Sequence, residues 1–329
     1  MRNAFADEIT ILGKEMPELL LLVGDIGNRL FDLYKASQGD RFFNCGIAEA
    51  NMISVGAGLA LTGFRPVCYT ITPFITARCL EQIRVDVCYH EAPVVIVGVG
   101  AGLSYANNGA THHSCEDIAM LRCLPNMSVV CPSDPTEVRL ALRAAVLSKT
   151  PVYLRLGKKG ERELALPRQN FTIGEAQQLA SGTDIALLGC GTIVPTMLDV
   201  ADRLRIRGLT PSLWNFHTVK PIDRRSLQGI FQTHKLVVTV EEHSHLGGFG
   251  SAVSECASEL VSSAPRILRL GTSDSFLHEG GEQEHARKLF GLDVEQLEMR
   301  IVEGFARTLR NEPFTDLVNG WTSVGIDRR

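Results

Sequence analysis

A carboxylate placed where a strand gives way to a helix of small residues is a candidate acid, and Glu49 stands at such a junction. The segment Arg41-Phe42-Phe43-Asn44-Cys45-Gly46-Ile47-Ala48-Glu49-Ala50-Asn51-Met52 reads as the end of an apolar strand, and the helix continues Ile53-Ser54-Val55-Gly56-Ala57-Gly58-Leu59-Ala60-Leu61. Its glycines and alanines let the helix lie close to a sheet and leave little room for water around Glu49. A carboxyl group so placed keeps its proton or grips a basic partner. The plainer reading is a helix-start acid held by the macrodipole. A second candidate is the loop Asn108-Gly109-Ala110-Thr111-His112-His113, where an imidazole could move protons near neutral pH. His112, His113, Cys115 and Glu116 also invite a metal reading, but a second well-spaced ligand pair is lacking and zinc is not expected. Arg155, Lys158 and Lys159 either attract an anion or form a solvated basic linker. Glu241-Glu242-His243 precedes Gly247-Gly248-Phe249-Gly250, which lacks the spaced fingerprint of a dinucleotide site and the acid beyond it.

The elements that must carry these residues alternate. Buried parallel strands are expected at Leu19 to Gly24, Pro66 to Thr70, Val94 to Gly98, Ser128 to Cys131 and Val152 to Leu156. Helices are expected at Ala77 to Tyr89 and Pro135 to Ser148, the latter capped by Asp134 with Pro135 at its first position. The stretch 157–174, rich in Lys, Arg, Glu, Pro and Gln, reads as a linker. A second unit follows, with strands at Asp184 to Gly189, Pro211 to Asn215 and Leu236 to Glu241. Its helices run from Val194 to Arg205 and from the glycines around Gly247. The pattern is α/β: two doubly wound domains with mostly parallel sheets, at 1–157 and 175–312, with a peripheral tail from about Asn311.

Composition fits a soluble two-domain protein: 329 residues, 45% hydrophobic, 21% charged, net charge -4. There is no basic surplus for nucleic acid. No apolar run approaches the roughly 20 residues of a membrane span, and the polar start around Asp7 and Glu8 does not read as a signal peptide. Nine scattered cysteines give no disulfide framework. Cys45, Cys68, Cys79 and Cys88 read as small buried hydrophobes in a reducing, cytoplasmic setting.

In order along the chain, the Glu49 segment is followed by Arg65-Pro66-Val67-Cys68-Tyr69-Thr70-Ile71-Thr72-Pro73-Phe74, Asn108-Gly109-Ala110-Thr111-His112-His113, Pro132-Ser133-Asp134-Pro135-Thr136-Glu137, Lys220-Pro221-Ile222-Asp223 and Val240-Glu241-Glu242-His243. This series resembles the transketolase superfamily of thiamine diphosphate enzymes, from about residue 1 to about residue 310. The resemblance implies a pyrimidine-binding domain followed by the family's C-terminal domain. It makes Glu49 the acid on the cofactor's pyrimidine nitrogen, Phe74 the stacking ring, and Ile71 and Asp25 neighbours of the cofactor. It makes His112 a contact to sugar hydroxyls and to the reacting oxygen. From the residues alone, Phe74 has core as its plainer reading, although its place at a strand-to-helix turn favours a pocket, and Asp25 could equally be a turn cap.

The large domain that holds the diphosphate and its metal in the family has no match here. Gly24-Asp25-Ile26-Gly27 with Asn51 imitates its metal motif, but the third position is Ile and Asn51 belongs to the Glu49 segment. No metal is therefore expected on this chain. Mg2+ or another divalent ion is expected on an N-terminal partner subunit, within a two-plus-two assembly whose core is a dimer of this chain. The implied activity is transfer of a two-carbon ketol unit from a ketose to an aldehyde. Asn108 stands where sugar-phosphate transketolases carry Asp, and Lys158 where they carry the phosphate-clamping Arg. His112, Asn108, Lys158 and Arg155 are the expected substrate contacts, for a small sugar or sugar derivative. A deoxyxylulose phosphate synthase-like half, a 2-oxoacid dehydrogenase beta-type subunit and a non-catalytic scaffold remain as alternatives.

Overall fold

The computed structural model describes residues 1–27, 29–164, 171–314 and 317. It contains two mostly parallel sheets wrapped by helices. The first has seven strands in the order β10-β5-β6-β4-β3-β1-β2. These are β1 (Leu19–Val23), β2 (Phe42–Asn44), β3 (Arg65–Ile71), β4 (Val95–Val99), β5 (Ser128–Val130), β6 (Val152–Leu156) and β10 (Thr218–Lys220). The second has five, in the order β12-β11-β8-β9-β7. Its members are β7 (Gln177–Ala180), β8 (Ile185–Gly189), β9 (Pro211–Asn215), β11 (Leu236–Ser244) and β12 (Arg266–Thr272). Among these strands, only β10 on β5 and β7 on β9 pair antiparallel.

Period-two alternation explains how the first sheet is buried on both faces. Leu19, Leu21 and Val23 of β1 enter one apolar cluster with Phe5 and Ile9 of the first helix. Leu20 and Leu22 enter the other, with Met52 and Ile53 of the helix Glu49–Leu61. This second cluster runs on without a break to Leu188, Phe216 and Phe249 of the second domain, so the domains share one core.

The Gly/Ala-rich helix sits as close to the sheet as its composition requires. A Cβ on Gly56 would lie 2.8 Å from Cys68 Sγ of β3. Asp134 caps the helix Pro135–Leu147 by accepting from the Glu137 backbone N–H at 2.8 Å.

Four expectations differ from the structure. The strand before Glu49 is a three-residue edge strand with Phe43 and Asn44 exposed, because nothing among the described residues pairs beyond it. The helix expected from Ala77 to Tyr89 is three pieces: a 3₁₀ turn at Ala77–Cys79, one turn at Leu80–Gln82 and a π-helical stretch at Ile83–Tyr89. Such irregularity gathers at functional sites. Cys45 is half-buried, whereas Cys68, Cys79 and Cys88 are buried. β10, from the second segment, completes the first sheet, so the sheet is not made from residues 1–157 alone. Part of the linker (165–170) and most of the tail beyond 314 lie outside the described residues.

Candidate active site

The carboxyl ends of parallel strands are where loops open over a sheet and where ligands collect in open α/β folds. Here Asp25 follows β1, β2 leads to Glu49, β3 ends at Ile71 with Phe74 just beyond, β4 leads to the His112 loop and Lys158 follows β6. The topology therefore carries most of the predicted residues to one rim.

Glu49 is the first residue of its helix and only 2% exposed. Its Oε2 accepts from Arg78 Nη1 at 2.8 Å, so the carboxylate has gripped a basic partner. The Arg78 side chain is 45% exposed, and its Cζ lies 4.3 Å from the centroid of the Phe74 ring. Phe74 is half-buried on the short helix Thr72–Ile75, which Pro73 starts directly after β3. The His112 ring stands edge-on to Phe74 at 5.2 Å and 66°. Tyr105 stands edge-on to His112 at 6.2 Å, and Lys158 Nζ lies 5.9 Å from the Tyr105 ring. Glu49, Arg78, Phe74, His112, Tyr105 and Lys158 thus form a continuous line.

His112 sits in a tight turn, its backbone N–H donating to Gly109 at 2.9 Å, with Thr111 Oγ1 3.0 Å from its Nδ1. Burial, then the neighbouring His113, lowers its pKa from the usual 6.5, so the ring is neutral at pH 7. His113 is buried and donates through Nε2 to the Ala106 carbonyl at 3.1 Å. Asn108 is exposed at the start of the same turn, and Ile71 is half-buried at the end of β3. Asp25 is exposed, with φ of 52°, and accepts from Asn44 Nδ2 at 2.9 Å.

Arg155 does not join this line. It is 2% exposed, with Nε and Nη2 donating to Asp117 at 2.7 and 3.1 Å, and Nη2 also reaching the carbonyls of Ser114 and Glu242 at 3.0 Å each. Its guanidinium is committed to the inter-domain core, which corrects the expectation of a substrate contact and equally the alternative of a solvated linker residue. Lys158 is half-buried and its Nζ donates to Glu282 at 3.2 Å; Lys159 is exposed.

Three groups at the rim escaped sequence reasoning. Arg78 lay within a stretch read as one regular helix, and only its spacing after Phe74 hinted at a shared face. Thr70 reads as an ordinary strand residue and the sequence reading gives Thr72 no role, yet both Oγ1 atoms are buried without a hydrogen-bond partner among the described residues. Thr70 Oγ1 would touch a Cβ added to Gly24 at 3.1 Å, and that Cβ would lie 3.3 Å from Glu49 Cγ. Gly24 therefore lets β1 pack closely against both Thr70 and Glu49, with the unpaired Thr70 hydroxyl in that contact.

In the second domain Glu241, Glu242 and His243 are all buried. Glu241 accepts from the backbone N–H groups of Phe249 and Gly250 at 2.6 and 2.8 Å, and burial still raises its pKa to about 7. Glu242 accepts from the Leu103 N–H at 2.6 Å and from Arg287 Nε at 2.6 Å, fastening the His112 loop to the second domain.

Family models match along both halves: transketolase, pyrimidine binding domain over residues 1–162, and transketolase, C-terminal domain over 174–297. The chain is 34% identical to a putative transketolase C-terminal section of Methanocaldococcus jannaschii, over 92% of this chain and 95% of that one. It is 35% identical to an apulose-4-phosphate transketolase subunit of Actinobacillus succinogenes, over 78% of this chain and 83% of that one. It is 38% identical to 1-deoxy-D-xylulose-5-phosphate synthase of Thermomicrobium roseum, over 81% of this chain but 42% of that protein. A solved structure described as a split gene transketolase, inactive beta4 tetramer, superposes with a TM-score of 0.83 at 32% identity, covering 95% of this chain and 98% of the other. The chain belongs to the transketolase family, a transketolase-type transferase polypeptide that corresponds along its length to the C-terminal section of a split transketolase.

Proposed function

We propose that this chain seats the aminopyrimidine end of thiamine diphosphate against Glu49 and Phe74. A partner section would hold the diphosphate and a magnesium ion, and together the two would transfer a two-carbon ketol unit from a ketose to an aldehyde. The observation that carries this reading is the placement of a buried carboxylate, an aromatic face and a neutral imidazole along one strand-end rim. Thiamine diphosphate, when bound, supplies an electron sink for the carbon–carbon bond that breaks. Glu49 would hold or exchange a proton at its carboxyl oxygen with the pyrimidine ring nitrogen. Phe74 would orient the ring by stacking, with Ile71 and the Asp25 turn bordering it. His112, neutral at pH 7, would take and return a proton at a substrate oxygen. With Arg155 in the core and Lys158 paired to Glu282, we propose that the substrate is read chiefly through its hydroxyls, by His112 and Asn108.

Assayed with a co-purified partner section, the complex should turn over a ketose or hydroxypyruvate and release little product from pyruvate. The identity to a deoxyxylulose phosphate synthase supports a second reading; efficient condensation from pyruvate would select it. No turnover of any donor by a complex that binds the cofactor would leave a scaffold role.

A further inference from the structure

Resting on the seat just proposed for the aminopyrimidine, we infer that Arg78 is a built-in stand-in for that ring, occupying its place until the cofactor displaces it. The guanidinium is planar, cationic and rich in N–H donors. It makes both contacts the seat offers: one N–H donates to Glu49 at 2.8 Å, and Cζ lies over the Phe74 ring, 4.3 Å from its centroid. An aminopyrimidine would use the same carboxylate and the same ring face, so the two cannot sit there together.

The arrangement answers a problem of the half-site. A carboxylate buried to 2% exposure and left without a partner is costly, and Arg78 satisfies it in the free chain. Release is easy, because nearly half of the Arg78 side chain already faces solvent and no core residue need move with it. Arg78 also stands on the 3₁₀ turn Ala77–Cys79, the least regular part of a segment that continues as one helical turn and a π-helical stretch. The consequence is a threshold: the cofactor binds only to the extent that it outcompetes an internal ligand.

The test titrates the isolated full chain with thiamine, which lacks the diphosphate and so needs nothing from a partner, and reads binding by calorimetry. Removing an ion pair whose arginine is half-exposed, together with a cation–π contact, from the competing state should tighten thiamine binding roughly five- to tenfold in Arg78→Ala. Arg78→Lys keeps a charge near Glu49 without the planar fork and should gain less. Equal, weaker or undetectable binding by Arg78→Ala would overturn the inference and make Arg78 a support for Glu49 instead. Adding Glu49→Gln to Arg78→Ala separates this from the underlying reading: thiamine affinity should then fall. If it does not, Glu49 is not the pyrimidine contact, and the proposed seat fails whatever Arg78 does.

Discussion

At the residue scale, burial assigns different work to similar groups. His112 and His243 are both imidazoles, but one edges an open rim and the other is sealed in the core. Burial and His113 hold the His112 pKa below 6.5. The acid limb of kcat/KM should therefore fall below pH 6.5 and vanish in His112→Asn. That variant should lose on the order of 10²- to 10³-fold in turnover with cofactor affinity nearly unchanged. Steady-state pH profiles of both proteins check this. His243 receives the Ala119 N–H on Nε2 at 3.3 Å and donates from Nδ1 to the Ser244 carbonyl at 2.7 Å, and burial lowers its pKa to about 4. Its folded pKa lies below the unfolded value of 6.5, so its contribution is complete above 6.5 and is lost as pH falls toward 4. Urea denaturation should show a decline of up to about 3 kcal/mol across that window from this group, reduced in His243→Asn. The sequence displayed Glu49 and His112 because their neighbours, a run of small residues and a turn, are local. It hid Arg78, whose partners Glu49 and Phe74 come from two other elements.

At the element scale, the helix Glu49–Leu61 positions the carboxylate, and its closeness to β3 depends on a missing side chain. A Cβ at Gly56 would meet Cys68 Sγ at 2.8 Å. Gly56→Ala should push the helix outward, cost roughly 1–3 kcal/mol by overpacking and lower turnover by misplacing Glu49. Chemical denaturation and steady-state kinetics on one preparation would show both effects; unchanged stability and turnover would mean that the contact relaxes locally. This element was legible because close helix–sheet packing demands small residues that the sequence displays. The broken helix from Ala77 to Tyr89 was not, because Arg-Cys-Leu-Glu-Gln-Ile-Arg has ordinary helical composition and only tertiary packing opens it into 3₁₀ and π turns.

At the scale of the whole molecule, the central strands of both sheets were legible in the buried runs of Leu, Val and Ile, whereas the half-buried β7 and β12 and the crossing of β10 were not. Thr218-Val219-Lys220 is too short to announce a strand, and its partner β5 lies far back in the chain. The crossing strand and the shared core make the two domains one body. We expect that body to dimerise at the centre of a two-plus-two complex; sedimentation of an active one-to-one complex that never dimerises would contradict this. The central claim is that Glu49 activates a pyrimidine bound on this rim. Its most direct measurement is the exchange of the cofactor's thiazolium proton with deuterated solvent in the complex assembled with a diphosphate-binding partner. Glu49→Gln should keep assembly, weaken cofactor binding only modestly, and slow exchange and turnover by on the order of 10²-fold or more. Exchange and turnover near wild-type rates in a fully assembled Glu49→Gln complex would reduce Glu49 to a helix-start acid and contradict the account.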